Sequence, residues 1–89
     1  MFSVPEVRQR VKAITTQLAL RDPETVVEQS GRWLHILIAT PDFEGKTPSE
    51  RENIIWREFE RQFDDETILA ITQCYLLTPK EKQVTAPAV

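Results

Sequence analysis

Between Arg32 and Pro41 the chain reads Trp33-Leu34-His35-Ile36-Leu37-Ile38-Ala39-Thr40, apolar at nearly every position. A short, continuously apolar run of this kind reads as a strand, and Pro41, which cannot extend a ladder, ends it. Its nearly apolar part, Trp33 to Ala39, is seven residues long, whereas a membrane-spanning helix needs ~20. Continuous apolarity predicts a central strand with cover on both faces.

The flanking segments supply that cover on helical periods. Ser3-Val4-Pro5-Glu6 has the pattern of a capping box. Behind it Val7, Val11, Ile14 and Leu18 fall within an arc of about 60° on a helical wheel, a narrow stripe for one buried contact. That helix is predicted to stop near Leu20, because Pro23 disfavours helical geometry at Asp22. Glu24 to Gln29 has strand character through Thr25, Val26 and Val27, and Ser30-Gly31 reads as a two-residue turn into the apolar run. After a loop over Asp42 to Lys46, Thr47-Pro48-Ser49-Glu50 starts a second helix with a threonine cap and proline in its first turn. Ile55, Trp56, Phe59 and Phe63 cover about 100° of it, and Asp64-Asp65 is read as its end. Ile68 to Leu77 is predicted as a third strand, closed by Thr78-Pro79.

The order is helix, strand, strand, helix, strand. A two-residue turn makes the first two strands antiparallel, and a right-handed helical crossover makes the third parallel to the second. The expected fold class is α+β: a two-layer sandwich with a three-stranded mixed sheet and both helices on one face. Residues 1–79 form the single expected domain and 80–89 a flexible C-terminal tail.

Eighty-nine residues leave room for one core, since a chain this small hides only ~60% of its unfolded surface. The two glycines, Gly31 and Gly45, are too far apart for a dinucleotide fingerprint or a phosphate-cradling loop. One Cys and one His exclude a zinc site built from the usual sets within one chain, and an internal disulfide with it. Eleven basic against fourteen acidic residues give a net charge of −3. All of that excess lies in residues 47–89, where five basic face eight acidic side chains. Such a surface repels phosphate backbones. With no secretory pattern at Met1 to Glu6, a cytoplasmic location is the expectation.

Several strings, in order, resemble the BolA family, whose fold is related to type II KH domains. They run from about Val7 to Glu81. The clearest is His35 to Lys46, where the family has a strand followed by Phe-x-Gly and then Lys, Glu or Met. Arg51 falls on the first arginine of its Arg-His-Arg helix motif. Ile68-Leu69-Ala70-Ile71 is similar to its Val/Ile-His-Ala-Leu strand, and Thr78-Pro79-Lys80-Glu81 to its Thr-Pro-x-Glu ending. The departures fall on chemistry. The motif's histidine and second arginine are Glu52 and Asn53 here. The histidine implicated in sharing an iron–sulfur cluster with a monothiol glutaredoxin is Leu69. The hairpin that often carries a Cys or His is Gln29-Ser30-Gly31-Arg32. Leucine has no lone pair to give iron, so the resemblance implies the fold without the ligand set, and no cofactor is expected.

Candidate site residues follow. His35 is a potential ligand or proton carrier and Cys74 a potential nucleophile or ligand, but packing roles fit both, since no third group orients them. A Cys–His pair requires the two side chains on one sheet face. Glu50, Glu52, Glu58 and Glu60, interleaved with Arg51, Arg57 and Arg61, read as a solvated helix face with pairs such as Glu58–Arg61. Arg8 and Lys12 are a weak anion-binding pair. Phe43, Gly45, Lys46 and Arg51 are the partner-binding candidates, on the loop and helix start that the resemblance places near the partner edge.

The expected function is a non-catalytic adaptor or regulatory domain that binds another protein, with a monothiol glutaredoxin as a weakened candidate partner. A KH-like nucleic-acid-binding or transcription-related module and an accessory subunit of a larger assembly are the alternatives. The absent paired glycines and the acidic second half oppose the nucleic-acid reading.

Overall fold

The computed structural model describes residues 2–85. Helix α1 (Val4–Gln17) is followed by strands β1 (Glu24–Ser30) and β2 (Trp33–Ala39), a single 3₁₀ turn (Pro41–Phe43) and helix α2 (Pro48–Gln62). A short helix α3 (Asp65–Ala70), strand β3 (Ile71–Leu77) and helix α4 (Pro79–Thr85) complete the order. The sheet runs β1-β2-β3, antiparallel then parallel, with the apolar run in its centre. The α+β, three-stranded mixed-sheet architecture is as expected.

One core holds the layers together. Val7, Val11 and Ile14 of α1 and Ile55 and Phe59 of α2 bury with Val27, Leu34, Ile36 and Ile38 of the sheet. Both helices therefore lie against the same side of it. Trp56 and Phe63 sit half-buried at its margin, with Phe59 between them at ring distances of 5.2 and 5.3 Å. Gln62 Nε2 donates to Gln17 Oε1 at 2.7 Å, tying the C-terminal ends of the two helices.

Local signals behaved unequally. The Thr47–Glu50 capping box closes, with Glu50 N–H donating to Thr47 Oγ1 at 3.2 Å and Thr47 N–H to Glu50 Oε1 at 2.9 Å. Ser3 occupies the equivalent position of α1 but makes no side-chain cap bond. The chain leaves α1 at Gln17, earlier than Leu20, through left-handed Ala19 (φ 54°) and Asp22 (φ 42°). The hairpin turn falls on Gly31-Arg32, one residue later than expected, because Ser30 pairs with Trp33. Gly31 has φ +60°, the first-position glycine of a turn whose twist matches its strands.

Four expectations are corrected. Cover on both faces of β2 is not found: Leu34, Ile36 and Ile38 are buried, whereas His35 and Leu37 on the reverse side are only half-buried. The third strand begins at Ile71, not Ile68, because residues 65–70 are helical. Asp64 does not merely end α2; it caps α3, accepting from Thr67 N–H at 2.8 Å, a helix start that favours acids. Residues 80–85 of the segment expected to be a tail belong to α4, and the rest of that segment lies outside the described residues.

Candidate functional site

The loop after β2 and the start of α2 are built inward. Phe43 is fully buried in the core, and Gly45 turns the chain at φ +78°. Arg51, one turn into α2, is 7% exposed. Its Nε donates to Lys46 O at 3.0 Å and its Nη1 to Leu76 O at 2.9 Å. The same guanidinium pairs with Glu81 at 2.6 and 3.3 Å and lies 5.8 Å from the Phe43 ring centroid. Glu81 in turn closes a capping box with Thr78 at the start of α4, through bonds of 2.9 and 3.1 Å. The Arg51 guanidinium, with help from the Thr78 N–H, holds the Glu81 carboxyl down to about 2. Two positions carried by the family resemblance, Arg51 and Glu81, thus form a strut that ties α2, β3 and α4. Of the four partner-binding candidates, Phe43 and Arg51 are committed inside, while Gly45 and Lys46 remain at the surface.

Arg8 and Lys12 part company. Arg8 Nη2 donates to the Val27 carbonyl of β1 at 3.2 Å. A guanidinium set on an outer-strand carbonyl blunts that edge against strand addition. Lys12 is exposed.

His35 and Cys74 lie on opposite faces. His35 pairs in register with Glu28 and Gln73, and Cys74 with Ile36, a core residue. Cys74 therefore points to the helix side, beside Arg51 and Glu52. Burial, reinforced by the Glu52 carboxylate, pushes its thiol up to about 12, far from thiolate reactivity. A Cys–His nucleophilic pair is excluded by this placement.

A concave apolar patch not recognised in the sequence lies at the hairpin end of the molecule. Phe2, Trp33, Leu69 and Ala70, with Gly31 and Arg32 of the turn, line a cleft of about 490 Å³. Leu69 is 76% exposed and Trp33 44%, and the Arg32 guanidinium lies 5.7 Å over the Trp33 ring. Helix α3 creates the patch: it turns Thr67 and Ala70 inward and leaves Leu69 outside. The signal for it was Asp64 three residues before Thr67, a helix cap just ahead of a segment rich in β-branched residues.

A scan against protein-family models finds no match, and neither does a search of curated proteins. Solved structures do match. BolA1 from Arabidopsis thaliana aligns with a TM-score of 0.59 at 18% identity, over 83% of this chain and 93% of that one. A Bol-like protein from Babesia bovis aligns with a TM-score of 0.58 at 15% identity, over 98% and 96%. The fold is BolA-like. The structure also brings together the two places where the resemblance anticipates cluster ligands, the hairpin and Leu69, in the same cleft. The side chains there supply neither thiolate nor imidazole, so they do not fit an iron–sulfur cluster.

Proposed function

We propose that this chain is a non-catalytic protein-binding domain of BolA-like fold, which meets its partner through the Trp33–Leu69 cleft. One observation carries the reading: a leucine 76% exposed beside a tryptophan 44% exposed, lining a concave surface. Contiguous apolar exposure on a small domain marks a contact surface, and aromatic anchors in recesses dominate such contacts. Leu69 and Trp33 offer apolar area where metal ligands are absent, so the contact is made by burial rather than by a shared cluster. A monothiol glutaredoxin is one partner class the fold suggests.

Affinity isolation of the wild-type chain beside Leu69→Asp tests this. The reading expects at least one stoichiometric protein with the wild type and its loss with the variant. Equal capture by a folded Leu69→Asp chain would refute it. Added to a cluster-loaded monothiol glutaredoxin, the chain is expected to leave the cluster's absorption unchanged. A histidine-type spectral shift abolished by substituting His35 would refute the absence of ligation.

A further inference from the structure

The reverse face of the sheet carries an apolar row, Val26, Leu37 and Tyr75, where a solvated face would be polar. Cross-strand partners share a face, so the register places Val26 and Glu28 of β1, Trp33, His35 and Leu37 of β2, and Gln73, Tyr75 and Leu77 of β3 together. Val26, Leu37 and Leu77 are only half-buried, Tyr75 is 50% exposed, and none of these four belongs to the core. One end of the face is closed. There Ala39 is buried, and Lys82 of α4 forms an ion pair with Glu24. The remainder is open.

We propose that this face receives one amphipathic helix of a partner protein, with its apolar stripe on Leu37 and Tyr75 and a basic side chain at Glu28. Size argues for a helix. Three strands of seven residues span roughly 23 by 14 Å at ~3.3 Å per residue and ~4.8 Å between strands. A helix of about 14 residues is ~21 Å long and ~10 Å across. A second copy fits less well: none of the three strands carries a lysine or arginine, so the same face of another chain brings no basic side chain to Glu28. Charge argues for a basic flank. Glu24 already has Lys82, whereas Glu28 makes no ion pair among the described residues.

This surface adjoins the cleft at Trp33 but does not include Leu69, although both readings assume that the chain binds proteins. The probe is a 14-residue helical peptide of leucine and lysine, with a leucine–glutamate peptide as its counterpart, titrated into the ¹⁵N-labelled full chain. Shifts are expected at Val26, Glu28, Leu37 and Tyr75 for the basic peptide, with weaker binding of the acidic one. Leu37→Ala should weaken binding about tenfold, the loss expected from part of one buried side chain. Glu28→Lys should reverse the peptide preference, and Leu69→Asp should change neither result, which separates this test from that of the cleft. Shifts confined to the cleft, equal binding of both peptides, or sedimentation of the free chain as a dimer protected on this face would each overturn the proposal.

Discussion

Arg51 serves the fold more than it serves a surface. Its position in a helix motif made it a binding candidate, yet its guanidinium is spent on two backbone carbonyls and one carboxylate. Sequence spacing indicated where it sits along α2, but not that Glu81, thirty residues on, closes against it. Arg51→Met should lower stability by about 2 kcal/mol, because the buried Leu76 carbonyl loses a charged donor; thermal melts by circular dichroism would measure it. Acid dependence belongs to the partner. The Glu81 carboxyl titrates near 4.5 when unperturbed and at about 2 in the folded chain. The folded state thus favours the ionised form, and its contribution is fully present above pH 4.5. That contribution falls away as the pH drops from there towards 2. Glu81→Gln is therefore expected to flatten the loss of melting temperature across that window. A variant that keeps the wild-type acid slope would assign the slope to other carboxylates.

At the scale of elements, two similar cap patterns had different outcomes. Thr47-Pro48-Ser49-Glu50 closes its box, and Ser3-Val4-Pro5-Glu6 does not, with the proline one position later in the second case. The helical stripes were readable because period and burial agree: Val7, Val11, Ile14, Ile55 and Phe59 are all in the core. Helix α3 was hidden because its six residues hold one turn and a half, too few for a stripe, and lead into β-branched Ile71 and Thr72. Its only strong signal is Asp64. Asp64→Ala should cost about 1 kcal/mol, the usual worth of such a cap, and loosen the turn that presents Leu69. Hydrogen exchange at Thr67 and Ile68 is expected to quicken more than at Ile36. Uniform quickening across the chain would mean that α3 has no local stability of its own.

For the whole molecule, a continuous apolar run says that a strand is central, not who covers it. Leu34, Ile36 and Ile38 are covered by this chain's own helices; His35 and Leu37, equally predicted to be covered, are not. Residues of similar hydropathy on one strand therefore have opposite roles, and no periodicity within the strand separates them. The distinction is measurable with one kind of substitution on either side of the sheet. Ile55→Asp sets a carboxylate among the apolar side chains of the core, and a charge buried there is among the costliest changes a small domain can take. Loss of the cooperative melt is the expected result. Leu37→Asp places the same group on the uncovered face, where water reaches it, and should cost no more than about 1 kcal/mol, the span of strand preferences. If Leu37→Asp unfolds the domain as Ile55→Asp does, the reverse face is part of the core and the two-layer description fails. If both variants melt like the wild type, the burial of α2 against the sheet is wrong.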